Sequence, residues 1–146
     1  MEPPERDPIA VARANWERAG WGRVADGMVA VASVMRAHQI LLARVEAALR
    51  PYDLSFSRFE LLRLLEFSRT GALPITAASD GLVERLPHPA DGRTTLVQIT
   101  ELGRSRVADA TVTLNESVFA DIGMSAEESR ALAESIQTLR RNAGDF

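Results

Sequence analysis

The chain has 146 residues, 46% of them apolar, and a formal net charge of −3, which suits one domain or one compact subunit with a buried core. It contains no cysteine and two histidines, so disulfides, thiolate metal sites and cysteine nucleophiles are excluded and a dedicated zinc site is not expected. No apolar run approaches the roughly 18 residues of a membrane span and the acidic, proline-containing start is unlike a signal peptide, so we expect a cytoplasmic protein without a membrane partner.

The first third of the chain is predicted to be helical after a short N-terminal tail. Pro8 can open a helix over residues 9–19 that ends at Gly20. A long helix is then predicted from Arg23 to Arg50, because its apolar positions alternate four and three residues apart. These positions are Val24, Met28, Val31, Met35, His38, Leu42, Val45 and Leu49. Such heptad spacing predicts a seam that suits a helical dimer interface.

Two shorter helices are predicted in the middle of the chain. Pro51 ends the long helix, and Ser57-Arg-Phe-Glu60 has the capping-box pattern that starts a helix through Phe67. Its inward-facing residues are predicted to be Phe59, Leu62 and Leu65. A further helix is predicted over residues 73–80, with Pro74 in its first turn.

The stretch from Gly81 to Thr100 is predicted to be a β-hairpin. Apolar runs at 82–86 and 96–99 lie on either side of a polar tip, and Asp91-Gly92 is a strong turn signal within that tip. Taken alone, the tip of such a hairpin is most often an ordinary solvated turn without a binding role. Here the hairpin is the only β element that the sequence predicts, and a capped helix follows it directly.

The last third is predicted to form two more amphipathic helices. Thr100 caps the first, over residues 101–121, and Gly123 breaks it. Ser125-Ala-Glu-Glu128 is a capping box that begins the second helix. The apolar residues of that helix, Leu132, Ile136 and Leu139, are spaced four and three residues apart. A chain of this size cannot cover three apolar helix faces by itself, so a homodimer is predicted.

The hairpin and the helix after it resemble the wing of the MarR family of bacterial winged helix-turn-helix transcription regulators. The resemblance is carried by residues 81–85, 89–93 and 97–104. It implies a mainly α fold with a small β-hairpin wing, in which an N-terminal tail with dimerisation helices (1–50) precedes a winged-helix DNA-binding lobe (51–100) and C-terminal dimerisation helices (101–146). It also implies a homodimeric DNA-binding transcription regulator, a small-molecule-responsive repressor that binds a pseudo-palindromic operator.

The resemblance assigns roles to residues of the wing tip. In the family an arginine two positions after an aspartate enters the DNA minor groove; Asp91 and Arg93 match this pattern, while Gly92 stands where a second arginine is frequent. The DNA-binding residues implied are Arg85, His88, Asp91, Arg93 and Thr94. The net charge of −3 does not argue against DNA, because local clustering of charge decides binding.

A small aromatic or anionic effector is the other expected partner, in a crevice where the dimer helices meet the winged lobe. Its predicted lining is Trp16, Trp21, His38, Phe59 and Glu60, although both tryptophans are most simply packing residues and His38 suits a packed core position. Trp16, Glu60 and Arg93 also loosely resemble the urate-responsive members of the family. No catalytic residue, cofactor or metal is predicted, since no phosphate-cradling loop, nucleophile pair or metal spacing occurs.

One part of the family pattern is missing. The family places a turn and a recognition helix before the wing, but here Asp80 is followed directly by Gly81, so some 15 to 20 residues are absent. Either the natural polypeptide contains a segment that this sequence lacks, or the gene carries an internal deletion. A true deletion would leave a MarR-like dimer that serves as an interaction or ligand-binding protein without specific DNA binding.

Overall fold

A computed structural model describes residues 6–68, 72–73, 82–87 and 95–146. Within these ranges the elements are α1 (Pro8–Arg18), α2 (Ala25–Leu49), α3 (Phe56–Phe67), β1 (Ala72–Leu73), β2 (Val83–Pro87), β3 (Thr95–Ile99), α4 (Glu101–Leu114) and α5 (Ala126–Asn142). Contacts divide the chain into two compact units, Met1–Arg44 and Val45–Phe146. The predicted mainly α fold with a small β element is confirmed.

The first unit begins with the short helix that the sequence predicts. The Asp7 side chain accepts the N–H of Ile9, and Pro8 occupies the first turn, where its missing N–H costs nothing. The chain then reverses at Gly20, whose φ of +89° favours a residue without a Cβ. Helix α1 has no fully buried residue, although some of its side chains, including Trp16, are partly covered.

Contacts across the Gly20 reversal join α1 to the residues that follow it. The Trp16 and Trp21 rings pack edge to face with centroids 5.3 Å apart. The Arg13 guanidinium lies 2.7 Å from the Asp26 carboxylate, and the hydrogen bond with Asp26 raises the pKa of Arg13. The two tryptophans therefore act as packing residues in this unit.

Helix α2 lies inside the predicted range of 23–50 and is flanked by 3-10 turns at Gly22–Val24 and Arg50–Tyr52. Over Gly22–Tyr52, among the residues that the structure describes, its length and mean hydropathy of 1.3 are sufficient for a membrane span. This finding differs from the expectation from the sequence, although Arg36 interrupts the apolar stretch. Length and composition alone also suit a helix that packs against another protein.

The second unit has a continuous apolar core formed by the end of α2, helices α3 and α4, and the sheet. Its fully buried large side chains are Leu49, Leu62, Leu65, Val97, Val107 and Leu114. The predicted α2 seam is therefore divided: Val45 and Leu49 pack into this core, whereas Val31 and Met35 are exposed. The expectation that one seam serves a partner along the whole helix is wrong for its last two turns.

The N-cap of helix α3 lies two residues before the predicted one. Ser55 is the N-cap, and its Oγ accepts the Arg58 N–H at 3.2 Å, so the box assigned to Ser57 and Glu60 is wrong. The helix ends at Phe67 as predicted. The predicted inward face is confirmed by burial of Phe59, Leu62 and Leu65.

The sheet has the order β1-β3-β2, with antiparallel pairing throughout. The predicted hairpin is confirmed in β2 and β3, but Leu73 pairs with Val97 in β1 and does not begin a helix. Pro74 explains this difference, because a residue before proline is disfavoured in the α conformation. The rest of that predicted helix, 74–80, lies outside the described residues.

The two C-terminal helices carry the predicted caps. Thr100 Oγ1 accepts the Gly103 N–H, and α4 continues into a π-helical turn at Asn115–Phe119 before Gly123, whose φ is +90°. At α5, Ser125 and Glu128 form a reciprocal capping box, and the backbone hydrogen bond from Ser125 lowers the pKa of Glu128. Helix α5 buries none of its residues.

Candidate nucleic-acid interface

The wing, defined here as strands β2 and β3, is a regular antiparallel ladder. Its register runs from Val83 opposite Ile99 to Pro87 opposite Thr95. Arg85 lies in β2 with its backbone opposite Val97. The other predicted DNA contacts, His88, Asp91, Arg93 and Thr94, lie outside the described residues, so their roles stay predictions.

The base of the wing is held against α4 by the backbone. The Leu82 carbonyl oxygen accepts hydrogen bonds from both the N–H and the Oγ1 of Thr100, each at 3.0 Å. Thr100 thus caps α4 and anchors the wing with the same side chain. These bonds join the residue before β2 to the N-cap residue of α4, so they hold the base of the wing against the start of that helix.

Gly103 makes that anchoring possible, and its role was missed from the sequence. A Cβ at this position would lie 2.2 Å from the Leu82 carbonyl oxygen and 2.9 Å from Ile99 Cγ1. The helix therefore approaches the strand more closely than any side chain allows. The available signal was an isolated glycine inside an otherwise helical pattern, which often marks a close packing contact.

Arginine side chains connect α3 to α4. Arg104 lies 2.9 Å from the Glu66 carboxylate, and Arg63 donates to Thr111 Oγ1 at 3.1 Å. The Arg63 guanidinium also stacks on Phe67, 4.6 Å from the ring centroid. These contacts, with the shared core, fix the position of α3 relative to the anchored wing.

The residues predicted to bind an effector fall in different parts of the chain. Trp16, Trp21 and His38 belong to the first unit, and Phe59 and Glu60 belong to the second. Phe59 is 5% exposed and stacks against Phe56 in the core, whereas Glu60 is on the surface. His38 is exposed, so the interpretation of it as a packed core residue is wrong for the single chain. That these residues line one crevice stays a prediction.

The connection between β1 and β2 is short. Residues 74–82, nine positions, lie between the last residue of β1 and the first of β2. A turn of 3 to 4 residues and a helix of roughly 11 need about 15, so a recognition helix and its turn exceed the available length. Both flanking strands nevertheless pair with β3.

Comparison with solved structures identifies relatives of this fold. The first is Sco5413, a MarR family transcriptional regulator from Streptomyces coelicolor, which is 38% identical with a TM-score of 0.70; the match covers 83% of this chain and 97% of that chain. Sco3205, a MarR family regulator from the same organism in complex with DNA, is 18% identical, covers 81% and 88%, and has a TM-score of 0.66.

A further similar structure is the transcriptional repressor CouR bound to a 23-mer DNA duplex, at 18% identity, coverage of 73% and 89%, and a TM-score of 0.61. Because both are only 18% identical to this chain, the likeness to Sco3205 and CouR supports the assignment of the fold and not of a function. No family model and no curated protein gave a match to the chain.

A β-hairpin anchored to a capped helix and packed on a helical core defines a winged-helix protein. The match to Sco5413 makes the assignment specific, because 38% identity extends over nearly the whole length of that chain. This protein belongs to the MarR family of transcriptional regulators. The resemblance first drawn from the wing sequence is confirmed.

Proposed function

We propose that the protein is a homodimeric DNA-binding transcription regulator, a repressor released by a small molecule, that binds a pseudo-palindromic operator. The observation that carries the proposal is the wing anchored to α4 through Leu82, Thr100 and Gly103. Family membership supports it, as does the presence of DNA in the Sco3205 and CouR structures. No enzymatic activity is proposed, because these relatives are transcription regulators.

Dimerisation is supported by the apolar surface that each unit leaves uncovered. On α2, Val31 is 59% and Met35 is 61% exposed, and on α5 Leu139 is 60% exposed. A free helix with such a face gains little from intrinsic propensity and is stabilised mainly by packing. A second copy of the chain supplies that packing.

The charges of α5 suit pairing about a two-fold axis. Its first turn carries Glu127 and Glu128, and its last turn carries Arg140 and Arg141. In an antiparallel pair of α5 helices, the acidic turn of one copy lies opposite the basic turn of the other. Each end also carries the charge that the helix dipole favours. We therefore include α5 in the proposed dimer interface.

The apolar composition of α2 is assigned to this dimer rather than to a membrane. Arg36 is exposed near the middle of the helix, where a membrane span would have to bury it at considerable cost. The relatives are transcription regulators, a class that acts on DNA. We propose a cytoplasmic location without a membrane partner.

In this proposal each wing reaches a minor groove beside one half-site, and two-fold symmetry places the half-sites one helical turn, about 34 to 36 Å, apart. Arginines of the wing and helix termini would contact phosphates. Binding should then weaken steeply with salt, because each phosphate contact releases counterions. Operator affinity measured from about 50 to 200 mM salt tests this; a salt-independent affinity would contradict it.

For the wing tip we expect Arg93→Ala to lower operator affinity by about 1 to 3 kcal/mol, because a narrow minor groove has an enhanced negative potential that attracts arginine. Fluorescence anisotropy with an operator duplex measures the loss. Arg85→Ala, in the strand, is the matched control and should have a smaller effect. If Arg93→Ala and Asp91→Ala give equal losses that are not additive in the double variant, Arg93 is a structural brace of the turn and the proposed contact is wrong.

For the effector we expect a small aromatic or anionic compound to bind the dimer and release DNA, with a coupling of about 1 to 3 kcal/mol. The adjacent Trp16 and Trp21 provide the readout, since Trp21 is 54% exposed. Phenolic acids and urate are titrated while tryptophan fluorescence and operator release are followed together. Quenching without release indicates an incidental pocket, and neither signal from any compound contradicts a ligand-responsive repressor.

A second candidate function is favoured by the nine-residue connection between β1 and β2. If the natural chain has this connection, the dimer lacks the helix that reads the major groove and serves as an interaction or ligand-binding protein without specific DNA binding. The intact mass of the native protein distinguishes the two. A mass of 16.0 kDa supports the deletion, and an excess of roughly 2 kDa, from about 20 residues, supports a longer natural chain.

A further inference from the structure

The end of α4 and the start of α5 form a corner with a cavity of about 420 Å³. The corner comprises residues 119–130, all of which lie within the second compact unit. Ligand pockets in proteins usually have volumes of about 300 to 1,000 Å³, so this cavity has room for a small molecule. Its lining residues are different from those predicted to contact DNA or to line the effector crevice. The corner is therefore a separate candidate site.

Backbone hydrogen bonds fix the shape of this corner. The Ala120 N–H donates to the Asn115 carbonyl oxygen at 2.8 Å, and this bond closes the π-helical turn at the end of α4. Asp121 then accepts the N–H of Gly123, and the capping box at Ser125 starts α5. Turns of the π-helical type are frequent at functional sites. A cavity that is largely formed before its ligand enters has a lower cost of binding.

The wall of the cavity is mainly apolar. Val118 is buried in the core, whereas the next residue, Phe119, lines the cavity and is 48% exposed. Met124 also lines it and is 39% exposed, and Ile122 is half-buried between them in sequence. A molecule that covers these side chains removes apolar surface from water, which is favourable. The wall therefore suits a ligand with a hydrocarbon body.

Arg130 gives the cavity a positive charge. It is the charged side chain among the described residues that line the cavity, and Ser129 lies next to it in the lining. No ion pair joins the Arg130 guanidinium to another described residue. The nearby carboxylates of Asp121 and Glu128 instead accept the backbone N–H groups of Gly123 and Ser125. A guanidinium binds a carboxylate through two parallel hydrogen bonds, so an anionic group fits this side of the cavity.

We propose that this corner binds a small apolar monocarboxylate. The hydrocarbon body of the ligand covers Phe119 and Met124, and its carboxylate pairs with Arg130. A second negative charge on the ligand would lie against the apolar wall without a partner, at considerable cost in free energy. A ligand with one charged end and one apolar body is therefore preferred over a dicarboxylate.

The site leaves the apolar stripe of α5 available to the proposed dimer. Ala126 lines the cavity, and Leu139 is exposed on the stripe thirteen residues later. At about 100° per residue, the two side chains point about 140° apart around the helix. The proposal is independent of the proposed function, because it requires neither DNA nor a second copy of the chain.

Octanoate is the probe for this site, and titration calorimetry of the full chain at neutral pH measures its binding. We expect saturable binding of one octanoate per chain. Octan-1-ol has the same hydrocarbon length but no charge at neutral pH, and we expect it to bind at least about tenfold more weakly, because it forms no charge-assisted hydrogen bonds with Arg130.

Arg130→Gln is expected to lower the affinity for octanoate at least about tenfold and to leave that for octan-1-ol nearly unchanged. Arg106→Gln is the matched control, since Arg106 is also on α4 or α5 but does not line the cavity, and we expect it to leave both affinities unchanged.

Ala126→Trp fills the cavity and is expected to abolish binding of both compounds. Ala126 is exposed, so the larger side chain should not disturb the core, and circular dichroism checks the fold. Ala131→Trp is the control, because Ala131 is exposed on the same helix and points about 140° away from Ala126.

Three results would overturn the proposal. The first is absence of saturable octanoate binding, which includes the case in which a second copy of the chain covers the cavity. The second is binding that Ala126→Trp leaves intact, since the ligand would then lie elsewhere. The third is binding that Arg130→Gln does not weaken, since the site would then not select a carboxylate. Each of these results leaves the proposed DNA-binding function standing, and a chain that fails to bind DNA can still bind octanoate.

Discussion

Replacement of Gly103 by alanine is expected to destabilise the winged lobe by about 3 kcal/mol. The new Cβ would lie 2.2 Å from the Leu82 carbonyl oxygen, which is a backbone atom held by two hydrogen bonds from Thr100. Relief of the clash requires α4 to move away from β2, which breaks those bonds and exposes Ile99. The better helix propensity of alanine, about 1 kcal/mol, offsets only part of this cost.

Urea unfolding followed by circular dichroism measures the change, and Gly27→Ala is the matched control. Gly27 lies in α2, and a Cβ there meets no atom within 4 Å. The same substitution should therefore be neutral or stabilising by up to about 1 kcal/mol at Gly27. Equal stability of the Gly103→Ala and unmodified proteins would show that the wing is not anchored as described.

The wing and its supporting helix were predictable because their signals are local. In the sequence, Asp91-Gly92 is a turn signal between two apolar runs, and in the structure Thr100 and Ser125 are the N-caps of α4 and α5. Such signals depend on neighbours within four residues. They remain valid whatever the tertiary surroundings are.

The start of α3 was misplaced because the sequence offers two serines with similar spacing. Ser57 satisfies the capping-box pattern with Glu60, yet the structure uses Ser55. Leu54 and Phe59, which stand before the cap and four residues after it, both lie in the core. Two apolar residues in these positions form the pattern of a hydrophobic staple, which favours Ser55 as the N-cap. That choice depends on tertiary burial, which a local pattern does not contain.

Two further differences between the predicted and the observed structure have tertiary causes. The short strand β1 exists because β3 offers it a partner, and a two-residue strand has no periodicity of its own. The divided seam of α2 reflects the core of the second unit, which covers Val45 and Leu49 but not Met35. Spacing along a helix identifies an apolar face, but it does not specify which surface covers each turn.

Helix α3 exposes two large apolar side chains. Leu64 and Phe67 are both largely exposed, on the side of the helix opposite to Phe59, Leu62 and Leu65. Helices of a helix-turn-helix pack against each other, so a longer connection would supply apolar cover there. Arg63 partly shields the ring of Phe67 by stacking on it. Within the described residues, Leu64 and Phe67 therefore form a small apolar surface on α3.

Met35→Glu is expected to weaken the proposed homodimer by at least about 3 kcal/mol, which raises its dissociation constant roughly 100-fold. Met35 is 61% exposed within the chain and lies four residues after Val31 on the same stripe of α2. In a two-fold dimer a carboxylate there enters an apolar contact without a partner charge. Sedimentation equilibrium over a range of concentrations measures the shift.

Ala37→Glu provides the control on the same helix, because two residues rotate a side chain by about 200° around an α-helix and so away from the Met35 stripe. Ala37 is exposed in this chain, so its substitution should leave both the fold and the dissociation constant nearly unchanged. If both variants dissociate equally, the loss reflects added negative charge rather than the apolar stripe. If Met35→Glu stays dimeric, the exposed face of α2 does not form the interface of the proposed homodimer.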